Sequence, residues 1–92
     1  MDTWIYCASL YCEECAAEIR SDLVGVSRAD MGDSDSYPQG PYPNGGGEAD
    51  CPQHCDSCGI FLENPLTPDG VEYVKEAEPG RVRQIWRDFY GF

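Results

Sequence analysis

Two C-x-x-C pairs, Cys12-Glu-Glu-Cys15 and Cys55-Asp-Ser-Cys58, stand 39 residues apart in the chain. This spacing lets two thiolates converge on one ion from a tight turn, and two such pairs brought together make a closed tetrahedral Cys₄ site. A chain of 92 residues reads as one domain, and a domain of this size often needs a disulfide, a metal or a partner as a staple. The opening MDTWIYCASLYCEEC has no basic segment leading into an apolar run, so no secretory signal is read there. No stretch approaches the ~18 apolar residues that span a bilayer. The expectation is a cytoplasmic protein with no membrane association. Thiols stay reduced in that compartment, which favours metal binding over disulfides.

The two pairs differ. Gly59 follows Cys58 directly, and a glycine there can take positive φ and leave a backbone N–H facing sulfur. Ala16 follows Cys15 and opens a helical pattern. The second pair therefore reads as a knuckle and the first as a helix N-terminus, whose dipole also favours thiolate. Cys12, Cys15, Cys55 and Cys58 are the expected ligands of one zinc per chain. The separation exceeds the 15–20 or so residues of common zinc motifs. Lengthening a loop adds little entropy, about 0.6 kcal/mol per doubling. A structural zinc supplies on the order of 10–16 kcal/mol, so the ion outweighs the loop.

Cys7, Cys51 and His54 are the alternatives, since Cys51-Pro-Gln-His54 is itself a C-x-x-H pair overlapping the knuckle. Any of them can replace a ligand, and a second closed site built on all three needs a carboxylate to complete it. The plainer reading makes Cys7 a strand cysteine acting as a small hydrophobe. His54 is then a neighbour of the site, a hydrogen-bond partner for sulfur. A rubredoxin-like single iron in the same four cysteines is the rival metal reading, because a tetrahedral S₄ site suits either ion. Zinc needs no redox partner, and both knuckles of rubredoxin-like proteins usually carry the glycine. The Cys7-x₄-Cys12-x₂-Cys15 spacing also fits a plant-type [2Fe–2S] ligand run. Only six residues precede it here, where that fold places much of a β-rich domain. No catalytic residue is assigned. The sole histidine, His54, lacks the H-x-E partner of zinc deaminases, and no βαβ setting supports a thioredoxin-type pair.

Around the pairs, the expected architecture is a small α+β domain of zinc-ribbon or rubredoxin-like type, with short strands and helices. TWIYCAS alternates as a short strand does. Ala16, Ile19 and Leu23 share one face of a helix over about residues 13–24, with Gly25 as its stop. Residues 29–50 hold five glycines and three prolines in 22 positions. They read as a loop that wraps the domain and can be shortened without losing the metal. GIFLENPLT offers a short apolar run, a strand or turn. Thr67-Pro68 reads as an N-cap with proline at the first helical position, and Pro79-Gly80 ends that helix. In RVRQIWRDFYG, Val82, Ile85, Trp86 and Phe89 form an amphipathic stripe. Core packing is the plain expectation for it, and docking of a partner or a second copy is the other.

The net charge of −11 is uneven. Residues 29–74 carry nine acids and no lysine or arginine, whereas residues 75–92 carry four basic and three acidic side chains. Affinity for nucleic acid comes largely from basic groups, so no nucleic-acid partner is expected. A protein partner of unknown identity is. The block YPQGPYPNGGGEADCPQHCDSCGIFLENPLT, with YCEEC upstream, resembles a group of short, uncharacterised zinc-ribbon-like proteins of bacteria and their phages. The resemblance covers roughly residues 4–75. It implies a bacterial or phage cytoplasm and a zinc-ribbon-like core, and implies no activity.

Overall fold

The computed structural model describes residues 1–92, an elongated body of 46 × 22 × 17 Å. The smallest extent leaves room for barely two layers of structure, so few side chains can be enclosed. Thirteen of the 92 residues are buried, a thin core for a free-standing domain.

Three short strands make one antiparallel sheet. Strand β1 (Thr3–Tyr6) is central, β2 (Ser9–Cys12) pairs with it as a hairpin, and β3 (Gln39–Tyr42) covers its other edge. Thr3 faces Cys12 across the hairpin and Tyr42 across the second ladder, which has a register shift between Thr3 and Ile5. The hairpin corrects the reading of Cys7. That residue is no strand hydrophobe but lies exposed in the two-residue turn, with φ of +48° there and +62° at Ala8. Two-residue hairpin turns of type I′ need positive φ at both central residues, and Asn-Gly is the usual sequence mark of them. Cys-Ala hides it.

Helix α1 (Glu13–Asp22) starts directly from β2, with Cys12 as its N-cap and Glu13 and Glu14 in its first turn. Ala16 is enclosed, and Ile19 and Leu23 are half-buried on the same face. The arginine of its last turn, Arg20, lies 4.1 Å over the ring of Trp4, which fastens the helix to β1.

The glycine-rich segment 29–50 is more than a wrapping loop. It supplies β3 and two single 3₁₀ turns, Asp30–Gly32 and Asn44–Gly46. The second turn penetrates the centre of the fold. The Gly45 N–H donates to the carbonyl of Met1 at 2.7 Å, and φ at Gly45 is +63°. A Cβ there would fall 2.8 Å from the Asn64 nitrogen and against the Leu62 carbonyl. The glycines are thus fitted to packing that the sequence pattern does not reveal.

After the second cysteine pair the chain runs extended, with single bridges His54–Phe61 and Ala49–Leu66. Phe61 and Leu62 are buried. Helix α2 (Pro68–Glu76) begins as its sequence indicates: Thr67 is the N-cap, its Oγ1 accepts the Gly70 N–H at 3.1 Å, and Pro68 opens the helix. Val74 is fully enclosed. Helix α3 (Arg81–Tyr90) ends at Gly91, which is left-handed at φ +81°. Its rotation differs from the expected one. Val82, Ile85 and Phe89 remain about half exposed, at 50%, 47% and 47%, while Arg83, Trp86 and Tyr90 face the chain. Three polar tips set this rotation. Arg83 donates to the Val74 and Lys75 carbonyls at 3.3 and 2.9 Å, where a cation also suits the C-terminal end of α2. Trp86 donates to His54 at 3.0 Å, and the Tyr90 hydroxyl donates to the Asn64 carbonyl.

Candidate metal centre

Cys12 and Cys15 occupy the junction of β2 with α1, one at the N-cap and one in the first turn. Cys55 and Cys58 occupy a tight turn between extended segments. The Gly59 N–H closes that turn on the Cys55 carbonyl at 2.9 Å, with Gly59 at φ +78°. The Asp56 N–H then reaches the Leu10 carbonyl on β2 at 2.8 Å. That bond carries the second pair onto the first.

The four sulfurs lie within 4.8 Å of one another, and Cys12 Sγ stands 3.7 Å from Cys58 Sγ. A tetrahedral ion with metal–sulfur bonds of ~2.3 Å needs sulfur–sulfur edges of about 3.8 Å. All six cysteines are free thiols. The arrangement is one that four cysteines offer to a single metal ion. Cys12 and Cys55 are buried and, with Leu62, form the central apolar cluster, against which Leu10, Tyr11 and Cys15 pack. The site is therefore the core of the fold as well as its chemistry.

The thiols are not alike. Burial pushes Cys15 up to about 12, and the neighbouring thiols of Cys12, Cys55 and Cys58 add to the rise. Burial also raises Cys12, against an opposing contribution from the backbone and side chain of Cys15. Cys55 is buried too, yet the backbone groups of Cys58, Cys12 and Ser57 outweigh that penalty and bring it down to about 6. One sulfur is thus held ready as a thiolate. A cation must draw the protons from the buried partners, so binding releases protons.

The remaining soft side chains fall outside this cluster. His54 is next to Cys55 in sequence, but both ring nitrogens are engaged elsewhere. Trp86 Nε1 can only donate, so His54 Nε2 accepts from it at 3.0 Å. Nδ1 then carries the ring proton and donates to the Gly59 carbonyl at 3.0 Å. The expected bond from His54 to a sulfur gives way to a bond to the knuckle backbone. Cys51 Sγ accepts from its neighbour Gln53 Nε2 at 3.7 Å, and Cys7 Sγ lies 3.5 Å from the Asp35 carbonyl.

Sequence reasoning passed over Asn64. It is fully buried, and its amide is saturated: Oδ1 accepts the Gln53 N–H at 2.7 Å, and Nδ2 donates to the carbonyls of Cys51 and Pro65, both at 3.1 Å. It positions the segment leading into Cys55 from the extended chain beyond Cys58. The Asn64-Pro65 dipeptide was the available signal, since asparagine before proline marks specialised backbone.

A cavity of about 340 Å³ opens beside Cys12 and the exposed Cys58, rimmed by Asp2, Glu13 and Glu14. Carboxylates at this mouth oppose the approach of anions. No helix of the chain is long and apolar enough to cross a membrane. Neither the protein-family models, nor the curated proteins, nor the solved structures contain a match to the chain.

Proposed function

We propose that the chain is a non-enzymatic interaction module of zinc-ribbon-like character, held together by one structural zinc on Cys12, Cys15, Cys55 and Cys58. The observation that carries this reading is the convergence of four sulfurs within 4.8 Å, two of them inside the central apolar cluster. A structural ion is worth on the order of 10–16 kcal/mol, against a net stability of about 5–15 kcal/mol for an ordinary domain. With so thin a core, the ion decides whether the chain folds. Four thiolates close the tetrahedron and leave no open position for substrate or water. The only histidine is committed through both nitrogens and is no free base. Reduced thiols of this kind suit a cytoplasm.

A rubredoxin-like one-iron carrier is the second reading. The exposure of Cys58 favours it, because a ligand at the surface gives electrons a short route out. Against it, only the second pair is a glycine-closed knuckle; the first runs into α1.

Nucleic acid is a poor partner for this surface. A tetrathiolate zinc carries a formal −2 and takes the chain from −11 to about −13. Arg83 is committed to the α2 carbonyls, and Arg87 Nε to the Phe92 carbonyl at 2.6 Å. Elemental analysis of protein grown in minimal medium tests the metal assignment directly. One zinc per chain and a colourless solution is the expected result. A red protein with stoichiometric iron would replace it with the electron-carrier reading.

A further inference from the structure

The half-exposed residues of α3 follow a heptad. Val82 and Phe89 are seven residues apart, with Ile85 between them, so they occupy a, a and d positions of one stripe. Arg81 and Asp88, also seven apart and exposed, lie together along one flank at g positions. The other side of the stripe turns into the molecule through Trp86 and Tyr90. Tyr73 of α2, half exposed, stands 5.9 Å from the Trp86 ring and widens the apolar patch.

We infer that a second copy of this chain covers the stripe, with the two α3 helices antiparallel about a two-fold axis. The charge pattern selects this occupant. Such an axis brings the same flank of both helices together with their directions reversed. Arg81 then faces Asp88 of the second copy, and Asp88 faces Arg81 of the second copy. A parallel pairing would set g against e positions instead, where Trp86 offers Arg81 and Asp88 no opposite charge. Gln84 Nε2 donates to Asp88 Oδ1 at 2.8 Å and steadies the carboxylate on that flank.

The distribution of charge over the chain points the same way. Residues 1–74 hold fourteen acids and two arginines, a balance of −12, whereas residues 75–92 hold four basic and three acidic groups, a balance of +1. Two copies meeting through any acidic region repel one another. Meeting through α3 avoids that repulsion. An isologous contact also closes on itself, so association stops at two copies. A stripe on a ten-residue helix buries little area, which makes the dimer weak and concentration-dependent.

This inference takes the interaction-module reading and names the partner. Metal content measured on the same sample keeps the two separable. The experiment is sedimentation equilibrium of the full metal-loaded chain from about 10 μM to about 1 mM, a range that captures weak association. The mass should rise from one copy towards two and go no further. Arg81→Asp should weaken association about tenfold, and the double change Arg81→Asp with Asp88→Arg should restore it. An aspartate at the start of α3 favours the helix dipole, so loss of the helix does not explain weakening; circular dichroism of each variant checks this. Ile85→Glu should abolish the dimer. A metal-loaded protein that stays monomeric across the range, grows beyond two copies, or ignores the charge exchange overturns the inference. In the monomeric case a different, acidic protein becomes the candidate occupant.

Discussion

Trp86 Nε1 donates to His54 Nε2 at 3.0 Å across 32 residues of sequence. This bond ties the C-terminal helix to the cysteine knuckle, because the opposite nitrogen of the same ring donates to the Gly59 carbonyl. Replacing Trp86 with Phe keeps an aromatic ring but removes the donor together with the second ring of the indole. We expect a loss of about 1 kcal/mol in urea denaturation with metal content unchanged. His54→Ala should also keep one ion per chain while lowering stability. An empty site in the His54 variant would mean that the histidine is a ligand.

Single Cys→Ser changes at positions 12, 15, 55 and 58 should each abolish stoichiometric metal and unfold the chain. The same change at Cys7 or Cys51 should leave metal near one per chain. Metal analysis after gel filtration, paired with circular dichroism, reads both outcomes. Retained metal in the Cys58 variant would sink the four-thiolate assignment.

Gly45 is the sharpest test of the glycine-rich segment. Gly45→Ala introduces a Cβ 2.8 Å from the Asn64 nitrogen at a positive φ. Backbone cannot yield as a flexible side-chain tip does. A loss of about 2–4 kcal/mol is expected, against little effect for Gly32→Ala, where φ is not positive and nothing lies within 4 Å. Equal melting curves for the two variants would show that the segment does not pack where it is placed.

Tyr90 sets a limit at alkaline pH. Burial, followed by the charge of Cys51, pushes its phenol up to about 12 from an ordinary value of 10. The neutral phenol is the favoured form in the folded chain. Its contribution is therefore complete below pH 10 and disappears as pH rises through about 12. Stability of the wild type should fall more steeply than that of Tyr90→Phe over this interval, even though the variant starts lower for want of the bond to Asn64. Parallel slopes in pH-dependent denaturation would refute the burial of this hydroxyl.

The cysteine pairs, the α1 start and the Thr67-Pro68 cap were legible because each is a local pattern with a local cause. A C-x-x-C turn, a first-turn acid and an N-cap act within four residues. The features that were not legible depend on distant partners. β3 carries no alternation in Gln39-Gly40-Pro41-Tyr42 and exists because β1 offers it an edge. The Cys7-Ala8 turn adopts left-handed backbone without the usual residues. The stripe of α3 was read correctly as a stripe, but its rotation depends on where an indole N–H, a phenol and a guanidinium find acceptors. Hydrophobic periodicity contains no record of those acceptors.

The meeting of Cys12 with Cys58, 46 residues apart, also fixes an order of events during synthesis. The hairpin of β1 and β2 can form as soon as it leaves the ribosome, but the last sulfur arrives only after more than half of the chain. Until then the nascent segment has only two or three of the four clustered thiols and no enclosed core. Under the proposed metal reading, capture of an ion by the fourth thiol is the step that closes the fold.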